Sequence, residues 1–572
     1  MATEINIIPL GGLGEIGINC MAIEYEGRIL VIDAGLMFPD ETTMPGVDLV
    51  IPDFTWLIER ADRISGLVLT HGHEDHIGAA GFLLRELENV PVYGTRLTLA
   101  MAEQRLKEAH VDKADLIEIA PRTRLTTGPF DLEFIRVNHS ILDGVGVAIN
   151  TPLGAIVHTG DFKIDQANTD DRVDLYKFAE YGENGVLLLL SDSTNADMPG
   201  CTDSETVVGR TLTKIFNKAD GRVILACFAS SLARIRQVAR AAKAAGRKMV
   251  FEGRGMIHSV KLAKSLGYLE IGDDDEVTLA ESADVPDSEL VIVATGSQGE
   301  PMSALTRMAH GDHKQISIKK GDTVILSARS IPGHEKAITR LIDLFYRQGA
   351  RVLDGKAVKV HTSGHGQAEE LKLMLNLTRP KYFVPIHGET HKLIRHGDLA
   401  RSLGWENDQI WILENGRSLT IDDDGAHFGE VVQSGRKVVD GNRLGEPEDP
   451  IFRNRLKLAG GGLVVVTVVV SNIGGLLTRP TVAISGVHYE SDFDLTLEAA
   501  EVAERVVNDW YDAGAEGFSP DGRSDTEPLS SLLQKEVRSL FRHSISRRPS
   551  IWPQVIVLGS DQFEGDNDDS EG

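Results

Sequence analysis

Four potential metal ligands lie within six positions in Thr70-His71-Gly72-His73-Glu74-Asp75-His76, directly after the apolar run Gly66 to Leu69. A buried strand that ends in such a turn can present His71 and His73 to one cation, and Asp75 and His76 to a second a few ångströms away. Imidazole nitrogen with carboxylate oxygen suits zinc or manganese, and two ions roughly 3.5 to 4 Å apart are what in-line phosphoryl displacement uses. One His in a polar turn would carry little weight. Four ligand-type side chains at this spacing argue against a chance polar turn and for a fold that gathers strand ends around metal.

Two ions need more ligands than one turn provides, so further His or Asp should stand at strand ends downstream. His139 follows the run Leu132 to Val137 in Val-Asn-His-Ser. Asp161 follows a strand in His-Thr-Gly-Asp-Phe-Lys, and an Asp carboxylate can bridge both ions. His387 follows another strand-like run in Phe-Val-Pro-Ile-His-Gly-Glu. Asp33, after Ile29 to Ile32, is better placed to hold ligand imidazoles from behind than to bind metal.

The remaining sequence sets limits. A chain of 572 residues is several times the size at which one core stops growing, which predicts three or four domains. No apolar run is long enough to cross a bilayer, the longest being Leu463 to Val470, and the Met-Ala-Thr-Glu start has no secretory n-region. Both point to a cytoplasmic protein without a membrane partner. Three scattered cysteines, Cys20, Cys201 and Cys227, form no metal-binding pair, so a metal site must use His and carboxylates. The formal charge of -26 argues against a generally basic nucleic-acid-binding surface, though not against a local groove or one made positive by bound cations. Asp561, Glu564, Asp566, Asp568, Asp569 and Glu571 form an acidic tail expected to be disordered.

Along the chain, residues 1–205 read as a strand-rich α/β layout. Residues 206–360 alternate long helical segments with single buried strands (Arg222 to Ala226, Lys248 to Phe251, Leu290 to Ala294, Thr323 to Ser327), as in an inserted parallel α/β unit. The earlier style returns over 361–445. A Gly-rich, charged linker at 446–462 leads to a small α/β domain at 463–558, with the tail at 559–572.

These motifs together resemble the metallo-β-lactamase superfamily, with Asp33 as its first motif, the His-x-His-x-Asp-His turn as its second, and His139 and Asp161 as its third and fourth. The resemblance implies an αββα sandwich. His71, His73 and His139 would bind one Zn2+ or Mn2+; Asp75, His76 and His387 would bind the other, with Asp161 between. An α/β insertion between the fourth motif and the last metal-binding His is similar to the β-CASP nucleases, in which Asp192, His365 and His387 match three further motifs. A His at position 387 resembles the RNA-processing branch, whereas the DNA-repair branch usually has Val. Longer strings narrow the likeness to the ribonuclease J family: Gly11-Gly12-Leu13-Gly14-Glu15-Ile16-Gly17, Leu190-Ser191-Asp192-Ser193-Thr194-Asn195, Thr295-Gly296-Ser297-Gln298-Gly299-Glu300-Pro301 and Pro385-Ile386-His387-Gly388-Glu389.

That likeness implies 5′ to 3′ exonuclease activity preferring a 5′ monophosphate, together with endonuclease activity, in mRNA decay and rRNA maturation. It also implies single-stranded RNA as substrate, a homodimer or homotetramer, and partners in an RNA-degrading assembly. By residue chemistry, a divalent cation can lower the pKa of an attacking water, and His365 can protonate the leaving 3′ oxygen while Asp192 orients its imidazole. Ser230, Ser231, His361, Thr362, Ser363, Gly364 and His365 match the family's 5′-phosphate pocket, with Gly364 and Gly366 letting the backbone form an anion nest. Two rivals remain, a DNA nuclease with the same metals and a non-catalytic scaffold. His387 argues against the first, and the intact ligand set against the second.

Three weaker signals are set aside. Gly12-x-Gly14-x-x-Gly17 formally matches a dinucleotide fingerprint, but strand-like segments follow where a helix is required, so the glycines read as a tight turn. Arg538, Arg542, His543, Arg547 and Arg548 read as a solvated helix face. Asp440 resembles a position that helps hold a structural cation in some relatives.

Overall fold

The structure, a computed structural model, describes residues 4–558 apart from 41–42, 169–170, 330–333, 442, 473, 488–493 and 515–525. The acidic tail of the sequence analysis therefore lies outside the described residues. Two compact units emerge, one from the N-terminal residues to Met37 with Val50–Lys437, the other from Phe38–Leu49 with the chain from Val438 onward. This division moves Phe38–Leu49 and Val438–Gly445 out of the segments to which the sequence pattern assigned them.

In the first unit two sheets face each other. One runs, in spatial order, Gly425–Val431, Arg417–Asp422, Ile5–Gly11, Cys20–Tyr25, Arg28–Ile32, Ile64–Val68, Pro91–Gly94 and Asp115–Glu118. The other runs Tyr382–Ile386, Val186–Asp192, Gly154–His158, Val145–Thr151, Phe130–Arg136 and Arg124–Thr127. Their inner faces interlock through one core that includes Ile7, Ile23, Leu30, Phe134, Val147, Leu188 and Val384. Helices Leu175–Asn184, Ala368–Thr378 and Thr390–Ser402 cover the outer face of the six-stranded sheet through Phe178, Leu371, Met374 and Ala400. Helix Arg96–Glu108 packs against the edge strands of the other. This is the αββα arrangement expected from the motifs.

Between Asp192 and the strand Tyr382–Ile386 the chain builds five parallel strands, in the order Lys248–Glu252, Leu290–Ala294, Val223–Ala226, Thr323–Leu326 and Arg351–Leu353. Separate apolar clusters cover its two faces, one including Leu212, Ile235 and Met256, the other Leu305, Met308 and Phe345. Strands buried on both sides must be apolar throughout, which is why they read as unbroken hydrophobic runs rather than as alternation.

Ligand-bearing loops leave the carboxyl ends of strands from both sheets of the sandwich. Thr70 to His76 follow Ile64–Val68, His139 follows Phe130–Arg136, Asp161 follows Gly154–His158, and Asp192 ends its own strand beside Tyr382–Ile386. Asp33 and His387 leave their strands at φ 62° and 55°, a left-handed conformation that costs a non-glycine residue on the order of 1 kcal/mol or more. The contacts described below hold both in place. Past Gly11 the chain forms the short strand Leu13–Gly14, paired with Gly388–Glu389, so the glycines do make a turn with no dinucleotide-binding helix after it.

The second unit has a three-stranded sheet in which Leu463–Ser471 pairs antiparallel with Thr481–Ser485 and parallel with Ser550–Leu558. Helices Leu495–Asp512 and Glu527–Ile545 bury Ala499, Val507, Leu533 and Phe541 against it. The stretch expected as a linker is not extended, because Pro450–Gly461 is a helix with Pro at its first turn and Phe452 buried. Asp440 ion-pairs with Arg455 of that helix at 2.6 Å. Arg538, Arg542, His543, Arg547 and Arg548 are all exposed. Among the described residues no helix is long and apolar enough to cross a membrane.

Candidate metal centre

The Nε2 atoms of His71 and His139 lie 3.0 and 3.1 Å from His73 Nδ1, so three imidazole nitrogens point at one spot. A second group gathers Asp75, His76, Asp161 and His387. His76 Nε2 is 3.6 Å from Asp75 Oδ2 and 3.3 Å from Asp161 Oδ2; His387 Nε2 is 3.3 and 3.6 Å from the same two oxygens. Asp161 Oδ2 also lies 3.6 Å from His71 Nε2 and 3.8 Å from His139 Nε2, which places a single carboxylate oxygen between the two groups. Asp161 is 3% exposed and His71 1%, so water alone does not solvate this convergence of lone pairs.

The outward nitrogens are held by protein oxygens. Asp33 Oδ2 lies 2.7 Å from His76 Nδ1 and accepts from Thr70 Oγ1, whose oxygen lies 3.1 Å from His71 Nδ1. His139 Nδ1 donates to Gly364 O at 2.8 Å, and His387 Nδ1 is 2.7 Å from Thr194 Oγ1. Ser140 Oγ is 3.4 Å from His73 Nε2. With protons on these outer nitrogens, the inner nitrogens of His71, His73 and His139 present lone pairs to each other, which a shared cation makes favourable, while in the second group the carboxylates of Asp75 and Asp161 face the inner nitrogens of His76 and His387. The residues therefore fit a pair of divalent ions. Backbone packing is equally committed: a Cβ at Gly35 would collide with Asp75 O, and one at Gly364 would come within 2.7 Å of the His139 ring.

Electrostatics differ between the halves. Burial, reinforced by neighbouring imidazoles, pushes His71 and His139 well below the usual imidazole range and His73 down to about 4, so this half is already deprotonated for binding. In the other half burial again opposes charge, but Asp161, Asp75 and Asp33 hold His76 well above that range. Asp161, Asp75 and Asp192 lift His387 to about 9. Burial likewise disfavours an ionised Asp161, yet His387, His76 and His365 keep its carboxyl well below the carboxylate range. A cation entering this half displaces protons from His76 and His387.

Beside the ligands, His365 Nδ1 contacts Asp192 Oδ2 at 2.8 Å, and the ring remains partly open to solvent. Asp161, Asp192, His365 and His387 also form a set close enough to hold an ion, but the short contact commits His365 Nδ1 to Asp192. The residues matched to a 5′-phosphate pocket come from two separate segments. Ser230 and Ser231 occupy the turn before helix Leu232–Ala244, whose Arg234 donates to Val360 O at 2.8 Å beside the His361 loop. The anion nest expected from Gly364 and Gly366 is not formed: the Gly366 N–H donates to Phe162 O at 2.7 Å and the His365 N–H to Ser363 Oγ at 3.1 Å, so neither is left for a phosphate.

Comparison with known proteins agrees with this geometry. The metallo-β-lactamase superfamily matches residues 13–194, the ribonuclease J β-CASP domain 220–345, the Zn-dependent metallo-hydrolase RNA specificity domain 354–408, and the ribonuclease J C-terminal domain 450–558. Ribonuclease J of Thermus thermophilus is 45% identical, covering 97% of this chain and 95% of that protein. The chain belongs to the ribonuclease J family. Ribonuclease J of Synechocystis is 41% identical over 97% of this chain and 86% of its own, and ribonuclease J2 of Bacillus subtilis 38% identical over 97% and 99%. A crystal structure of a protein of unknown function from Enterococcus faecalis shares the fold, with a TM-score of 0.53 at 16% identity over 73% of this chain and 100% of that one. This ribonuclease J family member is a metal-dependent RNA-cutting hydrolase.

Sequence reasoning missed Thr194, whose Oγ1 donates to Asp192 Oδ1 at 2.8 Å and meets His387 Nδ1. Its position two residues after Asp192 was the available signal. Thr194→Val should weaken the cation held by Asp75, His76 and His387 by about 10- to 100-fold, read by competition with a metallochromic chelator.

Proposed function

We propose that this chain is a 5′ to 3′ exoribonuclease that prefers 5′-monophosphorylated single-stranded RNA, with accompanying endonuclease activity, in cytoplasmic mRNA decay and rRNA maturation. It would use two Zn2+ or Mn2+ ions per subunit, assemble as a homodimer or homotetramer, and join an RNA-degrading assembly. The observation that carries this reading is the pairing of an Asp161-centred ligand set with a partly open, Asp192-held His365.

His71, His73 and His139 would hold one cation and Asp75, His76 and His387 the other, with Asp161 shared. Such ions supply a nucleophilic hydroxide at neutral pH and offset charge on the phosphoryl oxygens. Asp192 holds His365 Nδ1, which leaves Nε2 to carry the transferable proton. As the P–O3′ bond breaks, His365 Nε2 protonates the leaving 3′ oxygen, and the RNA left behind keeps a 5′ phosphate for the next cycle.

A terminal phosphate finds a cationic surrounding near His361. Burial first, then Arg234, Lys163 and Arg329, hold that imidazole down to about 3. The hydroxyls of Ser230, Ser231 and Ser363 would complete the pocket with His361, Thr362, Gly364 and His365. A digest of matched RNAs bearing 5′ monophosphate or triphosphate tests this: mononucleotides should appear at least about tenfold faster from the monophosphate, a preference of about 1.4 kcal/mol. Equal rates would refute the preference.

A further inference from the structure

We propose that Asn195 and Arg329 form a positioning relay that couples a backbone phosphate of bound RNA to the placement of His365; this rests on the reading of His365 as the proton donor. Asn195 is 3% exposed. Its Nδ2 donates to Ser363 Oγ at 2.9 Å and to His365 O at 3.0 Å, while its Oδ1 accepts from Arg329 Nη1 at 3.1 Å. The amide can sit only this way round. A carbonyl acceptor on one side requires the NH₂, and a guanidinium, which only donates, requires the oxygen on the other.

The contacts converge on one peptide. Ser363 Oγ accepts from the His365 N–H, and Thr202 Oγ1 donates to His365 O at 2.8 Å, so Asn195 supports both sides of the residue whose ring Asp192 holds. Strand Val186–Asp192 and the turn after it thus fix His365 twice, by ring and by backbone. Proton transfer is sensitive to sub-ångström placement, and this double hold supplies it.

Arg329 gives the relay an outward end. It follows strand Thr323–Leu326 of the inserted unit, its own carbonyl accepts from Gln298 Nε2 at 2.8 Å, and its side chain is exposed. Among the described residues no carboxylate pairs with it, in a chain whose net charge is -26. A guanidinium that spends one donor on Asn195 retains others in the fork geometry that matches phosphate. Its charge also reaches His361, at the start of the loop that carries His365. Phosphate bound there would fix the guanidinium, hence the Asn195 carbonyl, hence the amide that holds His365.

The test is steady-state cleavage of a 5′-monophosphorylated RNA by the full chain and its Asn195→Ala, Asn195→Asp, Arg329→Ala and Asn195→Ala/Arg329→Ala variants, with metal content and melting recorded for each. Both Asn195 variants should lose about 10- to 100-fold in kcat with KM within about twofold. Arg329→Ala should raise KM about tenfold, lower kcat about threefold and flatten the slope of log(kcat/KM) against log salt by about 0.7, the share of one phosphate contact on a single strand. The double variant should have the kcat of Asn195→Ala alone, because both changes break one chain of contacts. The relay is overturned if kcat stays within about twofold in both Asn195 variants, or if Arg329→Ala leaves kcat and the salt slope unchanged. Should the Asn195 variants lose metal or melt early, the exposed Arg329 decides by its own kcat and slope. A wild-type chain that fails to cut RNA would instead sink the functional reading.

Discussion

Asp161→Asn is expected to abolish RNA cleavage, lowering kcat/KM by about 10⁴-fold or more and reducing bound divalent metal from two ions to one or none. The change preserves size and removes the shared anionic oxygen that lies within 3.3 to 3.8 Å of four imidazole nitrogens from the two groups. Two cations without that bridge repel each other and lose a ligand apiece. Several kcal/mol of transition-state stabilisation then vanish, at about 1.4 kcal/mol per tenfold in rate. The loss should be the same for every substrate, because it precedes any question of leaving group. Near-normal cleavage by this variant would rule the centre out.

His365→Ala should behave differently. Both cations stay, since none of the two proposed ligand sets includes His365, while kcat on RNA falls by about 10²- to 10⁴-fold through loss of the proton donor. The discriminating substrate is a nucleotide 5′-p-nitrophenyl ester, whose phenolate leaves without protonation. On that ester the variant should approach the wild-type rate. An equal loss on both substrates would show that His365 acts by something other than proton transfer.

Much of this centre is legible in sequence because metal chemistry restricts residue types. His71, His73, Asp75 and His76 announce themselves in one turn, and the demand for more ligands leads to His139, Asp161 and His387 at strand ends. All seven converge in the structure. The inserted parallel sheet is legible for a related reason, since doubly covered strands are apolar throughout. What is not legible is where backbone donors go. Gly364 and Gly366 have the freedom an anion nest needs, but Phe162 O and Ser363 Oγ take the N–H groups of Gly366 and His365. Nor does spacing reveal Thr194 and Asn195, which touch the site through hydroxyl and amide contacts that any polar residue in a turn could offer. The helix Pro450–Gly461 is hidden by its glycines, which read as a linker although Pro450 at its first turn is a start signal.

One chain should hold two divalent cations at these residues. Elemental analysis of active protein, purified without added metal and joined to anomalous diffraction from its crystals, addresses it directly. Two ions per chain are expected, one about 2.0 to 2.2 Å from nitrogens of His71, His73 and His139, the other at that distance from Asp75, His76 and His387. Undiminished cleavage by protein carrying less than one divalent ion per chain after exhaustive chelation would contradict it.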